Sequence, residues 1–161
     1  MDWQIPLIVT AVAFAAYLVF RMRPAVTPRG RATAAALEEA KKRLAEATDD
    51  AARARALADA ADACASLGRT NSTVGYYLRA LKLDGRSATL VERAAAALAR
   101  RPGALEHLMW RHLAHDPWTG DRRDAARAGL RVLAGLYRRR RRFHPRAESL
   151  DHAIAALGEQ D

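Results

Sequence analysis

The sequence predicts an all-α chain in which an N-terminal transmembrane helix precedes a small helical-hairpin domain. Three observations carry that expectation. A stretch from Trp3 to Phe20 holds no formal charge, and a helix of that length roughly spans a hydrocarbon core. The rest of the chain repeats apolar residues at helical spacing between Gly, Pro, Asp and Ser punctuation. No stretch shows the alternation or the β-branched density of strands.

The apolar stretch, WQIPLIVTAVAFAAYLVF, has Trp3 and Tyr17 towards its ends and Pro6 in its first turn. Amphipathic rings favour the interface, and a missing N–H costs little at a helix start. A cleaved signal peptide normally opens on a positive region and closes on a small-residue site. Here the ends are MDWQ and YLVFRMRP, so the uncleaved anchor is the expected reading, over a buried core helix. Arg21, Arg23, Arg29 and Arg31 follow the span and no Lys or Arg precedes it. The expected location is therefore the inner cell membrane, single-pass, with the N-terminus outside and the C-terminal domain cytoplasmic. The organisation that follows is an anchor at 1–22, a basic juxtamembrane linker at 23–31 and a helical domain at 32–161.

Within that domain the first helix is expected from Ala32 to Thr48, supported by Glu38–Lys42 and Glu39–Arg43 pairs. Asp49 or Asp50 caps a second, which carries Leu57, Ala60, Ala61, Cys64 and Leu67 on one face and ends at Gly68. Asn71 or Ser72 caps a third, closed at Gly85. Ser87 begins a fourth that stops at Pro102–Gly103, and a fifth ends at Asp116–Pro117. A long helix from Asp121 to Phe143 and a short last one after Pro145 complete the series.

Composition limits function. Of 161 residues, half are apolar but only 6% aromatic, because alanine dominates. A net charge of +9 points to an acidic partner: anionic lipid, nucleic acid or an acidic protein face. Cys64 is the one cysteine and cannot form an intramolecular disulfide. On the inner face of its helix it reads as a small core residue. His112 and His115 have i,i+3 spacing without a matching acidic or thiol ligand, and with His107 they read as surface or interhelix histidines. Trp110 is expected in the core. No Gly-rich phosphate loop, HExxH, GxSxG or pocketed carboxylate pair occurs, so no catalytic residue, cofactor, metal or small-molecule substrate is expected.

The stretch from Ala54 to Gly85, and above all SLGRTNSTVGYYLRALKLDG, resembles a tetratricopeptide repeat. Gly68 stands at its inter-helix turn, Tyr77 and Ala80 at the aromatic and small positions of the second helix, and LKLDG resembles the closing Leu-x-Leu-Asp-Pro. Ala61 is small where the paired helices approach. Gly85 for proline, Ala60 for leucine and Thr73 for alanine depart from the pattern. A second, degenerate unit runs from Ser87 to Trp118, with His112 at a small-residue position. The resemblance implies an α-solenoid with a surface for protein partners and no catalytic residues.

A non-catalytic, membrane-anchored adaptor or scaffold is therefore expected. Tyr76, Tyr77, Arg79 and Trp118 are the candidate partner contacts. Arg138, Arg139, Arg140, Arg141, Arg142 and Arg146 are candidates for an acidic protein or lipid surface. A solvated basic helix end explains the same run. Two alternatives stay beside the adaptor: an accessory subunit of a larger membrane complex, with Ala11, Ala13, Ala15 and Ala16 at a helix interface, and a tethered nucleic-acid binder using the arginine run.

Overall fold

The computed structural model describes residues 4–22, 28–115, 118–139 and 143–158. These form eight helices and no strands: α1 (Gln4–Met22), α2 (Pro28–Glu46), α3 (Asp50–Ser66), α4 (Thr70–Leu83), α5 (Ala88–Ala97), α6 (Pro102–His115), α7 (Arg123–Arg138) and α8 (His144–Gly158). The all-α expectation holds for them.

The transmembrane anchor does not. Among the described residues no helix is long and apolar enough to cross a membrane. The expected single-pass location and its N-terminus-outside orientation, which rested on that span, are corrected with it. Among the described residues α1 makes no helix–helix contact with α2–α8. Leu7, Ile8, Val9, Val12 and Phe14 on it are each 57–63% exposed.

Several helix limits follow from local chemistry. Helix α2 starts at Pro28, since proline's fixed φ suits a first helical position. The stretch read as linker is therefore partly helical. Asp49 caps α3, accepting the Ala52 N–H, and Ser87 caps α5, accepting the Leu90 N–H at 3.2 Å. Helix α4 begins at Thr70 behind Arg69, with no side-chain cap, so neither Asn71 nor Ser72 caps it. Helix α5 ends at Ala97 and α7 at Arg138, both earlier than periodicity suggested. A 3-10 turn at Gly120–Arg122 precedes α7. Pro145 lies in the first turn of α8 and so opens a helix where it was expected to break one.

Helices α3, α5 and α7 contact one another in series, while α4 packs on α3 and α6 on α4 and α7. Helix α2 covers α3 at one end, and α8 covers α7 at the other. One core cluster runs through this stack from Ala54 and Leu57 to Ala147 and Leu150. A second, of Leu37, Ala40, Ala60, Ala63 and Cys64, joins α2 to α3. Alanine and leucine make up most of these clusters, and small side chains let helix axes approach closely. Gly129 on α7 does the same against α6: a Cβ there would lie 3.3 Å from Leu113 Cδ2.

The α3–α4 turn depends on Gly68, whose φ of +73° lies in the left-handed region. Open space surrounds its Cα, so a substitution meets backbone strain alone. Gly68→Ala is expected to lower unfolding free energy by about 1 kcal/mol, read as a lower urea midpoint with an unchanged slope.

Candidate functional site

A cleft of about 290 Å³ opens between α4 and α6. Leu78, Arg79, Leu81 and Lys82 line it from α4, and Arg111, His112 and His115 from α6. The amphipathicity of α4 sets this up. Thr73, Tyr77, Ala80 and Leu81 are buried on its inner side, which turns Leu78, Arg79 and Lys82 towards α6. Leu81 is buried and Leu78 half-buried, whereas Arg79, Lys82, Arg111 and His115 are exposed. The cleft therefore has an apolar floor and a basic rim.

None of Arg79, Lys82, Arg111 and His115 has a hydrogen-bond or ion-pair partner among the described residues. Elsewhere the exposed arginines divide: Arg69, Arg100, Arg101, Arg131 and Arg139 likewise have no side-chain hydrogen-bond or ion-pair partner among the described residues, whereas others are matched. Arg43 meets Glu39 at 3.3 Å, Arg86 meets Asp121 at 3.1 Å and Arg138 meets Asp151 at 2.5 Å. A larger recess of about 580 Å³ lies beside the α3–α4 turn. It carries Arg100 and Arg101 beside a wall of alanines with Ser66, Thr70 and Thr73, and has less apolar floor.

The remaining partner-contact candidates are placed differently. Tyr77 is wholly buried and its hydroxyl donates to Asp62 Oδ1, so it belongs to the packing of α4 on α3. Tyr76 is half-buried and packs against both core clusters. Trp118 is half-buried too, its indole N–H donating to the Leu113 carbonyl at 2.8 Å. Arg79 alone of these four is fully exposed on a cleft. Of the basic set, Arg138 is paired with Asp151, and the Arg146 guanidinium sits 5.1 Å from the Phe143 ring centroid. Arg139 is exposed at the end of α7. Arg140, Arg141 and Arg142 lie outside the described residues.

Two polar networks hold the cleft walls, and sequence reading did not find either. In the first, Arg93 on α5 donates from Nε to Asp62 at 2.6 Å and from Nη2 to Asp59 at 2.7 Å. Tyr77 donates to the other oxygen of Asp62. Burial pushes the Tyr77 phenol well above its ordinary value, and the hydrogen bond to Asp62 adds to the shift. For Arg93, burial works against the charge, but the hydrogen bonds it donates to Asp59 and Asp62 outweigh it and raise the guanidinium's pKa. In the second, Trp110 donates to the Tyr137 hydroxyl at 2.9 Å, which donates to Glu106 at 2.7 Å. Trp110 itself is 41% exposed, a correction to its expected place in the core: its indole N–H bridges α6 to α7 while one edge stays wet. His112 is buried, whereas His107 and His115 are exposed.

Cys64 is buried, and burial pushes its thiol up, which opposes a thiolate role. Among the described residues no three His, Cys, Asp or Glu side chains gather as a metal site would require. No protein-family model, no curated protein and no solved structure matches the chain.

The Tyr77 network has a pH signature. A phenol whose pKa is raised on folding contributes stability that is present below the unfolded value, about 10, and lost as pH rises beyond it. Tyr77→Phe is expected to cost about 1 kcal/mol at neutral pH and to flatten the loss of stability above pH ~10, both read from urea unfolding followed across pH. An equally steep alkaline loss in the variant would contradict this account of the pair.

Proposed function

We propose that this chain is a non-catalytic adaptor that docks a protein partner on its stack of helical hairpins. The observation that carries the reading is the α4–α6 cleft: an apolar floor ringed by cations that have no partner within the described chain. Leaving three permanent positive charges close together opposes folding through mutual repulsion. An opposite charge supplied from outside would relieve that repulsion. Arg79, the exposed member of the sequence-derived contact set, lies on this rim, which supports the same face.

The close packing of α3 on α4 and of α7 on α8 supports helical hairpins at both ends of a tetratricopeptide-like arrangement, whereas α5 and α6 touch each other least, α5 packing chiefly on α7 and α6 on α4 and α7. Each hairpin leaves one side open for a neighbour, so a stack of this kind offers an extended surface rather than a closed active site.

The test is capture from the native cell extract with quantitative mass spectrometry, comparing the full chain with Arg79→Glu/Arg111→Glu. Specific partners are expected to fall at least about tenfold, since reversing charges at an electrostatic contact costs more than about 1.4 kcal/mol. Equal capture by the two chains would remove the cleft as the docking face.

A second reading, a small subunit of a larger assembly, is favoured by α1. Its apolar side chains Leu7, Val12 and Phe14 are exposed on a helix that packs against no other among the described residues, and contiguous exposed apolar surface of this kind marks an interaction face. Under that reading Val12→Asp/Phe14→Asp is expected to abolish co-purification of the assembly while the cleft variant leaves it intact. Unchanged co-purification would set the subunit reading aside.

A further inference from the structure

Resting on the docking reading above, the geometry points to a specific ligand class for the α4–α6 cleft. We propose that it takes an acidic segment of a partner protein, with one aliphatic side chain seated on Leu78 and Leu81 and flanking carboxylates held by Arg79, Lys82 and Arg111.

The size of the cleft selects a side chain rather than a cofactor. At about 290 Å³ it lies at the lower end of small-molecule pockets, which begin at about 300 Å³. Its floor is leucine, half-buried or buried, and suits an aliphatic group. Cations stand on both sides of that floor: Arg79 and Lys82 one turn apart on α4, and Arg111 on α6. In an extended segment consecutive side chains point to opposite sides, with about 3.3 Å between residues. An aliphatic residue directed into the floor therefore leaves its two neighbours directed away from it, where acidic side chains reach the rims. Guanidinium groups add bidentate geometry for those carboxylates.

The competing anionic partners fit less well. No aromatic side chain lines the cleft, so nucleic-acid bases have no stacking platform there. The cations border a concave recess, whereas a lipid headgroup surface presents its charge as a plane. Asp59 and Asp62 are engaged with Arg93, Asp121 with Arg86 and Asp151 with Arg138, and no acidic side chain lines the cleft among the described residues.

The experiment titrates the full chain into a fluorescein-labelled, acetylated peptide of sequence Gly-Asp-Glu-Leu-Glu-Asp-Gly, followed by anisotropy at low and at physiological salt. Binding that weakens with salt is expected, with affinity at least about tenfold lower for Arg79→Glu/Arg111→Glu. A peptide with serine for leucine is expected to bind about fivefold more weakly, the loss of roughly one aliphatic contact. Arg131→Glu, an exposed reversal on α7 away from the cleft, is expected to stay within about twofold. Arg79→Gln/Arg111→Gln serves as the milder variant, and circular dichroism checks that both variants remain folded.

Equal peptide binding by wild type and the cleft variants overturns the proposal. So does an absence of peptide binding, including the case in which oligouridylate or phosphatidylserine vesicles bind and lose that binding on charge reversal. If partner capture is lost in the cleft variant yet the peptide fails to bind, the ligand class falls and the docking face stands. If capture is unchanged while the peptide binds, the docking reading falls and the site remains a site for acidic peptides.

Discussion

The Asp62 carboxylate is the group on which the arrangement of the first hairpins depends. One of its oxygens accepts from Tyr77 on α4 and the other from Arg93 on α5, so a single side chain of α3 ties three helices. Asp59 one turn earlier extends the tie, meeting Arg93 at 2.7 Å and Arg43 of α2 at 3.6 Å. Half-exposed ion pairs alone contribute little to stability. Their effect here is geometric. A buried phenol must find an acceptor, and the one acceptor it finds is already held by an arginine. That fixes the rotation of α4 about its axis, and with it the side of α4 that faces α6.

The hydrophobic core could not set that rotation by itself. Helix α3 buries Ala54, Ala56, Ala58, Ala60, Ala61 and Ala63, and alanine offers neither a bulky knob nor a distinctive hole. Such a face allows close approach but discriminates weakly among rotations. The larger buried side chains, Tyr77, Leu81, Met109, Leu130 and Tyr137, together with the two polar networks, supply that discrimination. The Trp110–Tyr137–Glu106 chain does for α6 and α7 what Asp62 does for α3, α4 and α5. Phe143 then packs at 5.7 Å from the Tyr137 ring, and Arg138 closes onto Asp151 of α8.

The same economy of charge explains why the basic stretch near the end of α7 is not the clearest electrostatic feature of the described structure. Arg138 and Arg146 are used inside the fold, one on a carboxylate and the other over an aromatic face. The cations of the α4–α6 cleft are spread over two helices far apart in sequence, with single charges at Arg79, Lys82 and Arg111. No local run marks them, so composition alone does not draw attention to them.

Local chemistry in the sequence determined the helical class, the caps at Asp49 and Ser87, the turn at Gly68, and the inward face of α3. Each of these depends on residues within a turn or two of one another, where propensity, capping and periodicity act directly. Tertiary structure decided the rest. It placed Tyr77 inside and Trp110 half outside, gave Arg93 to Asp59 and Asp62, and brought Arg111 opposite Arg79. It left α1 without a helix–helix contact among the described residues, and no described helix long and apolar enough to cross a membrane. These outcomes depend on which helix faces meet. In an alanine-rich chain many pairings are sterically equivalent, and only the assembled hydrogen-bond partners distinguish among them.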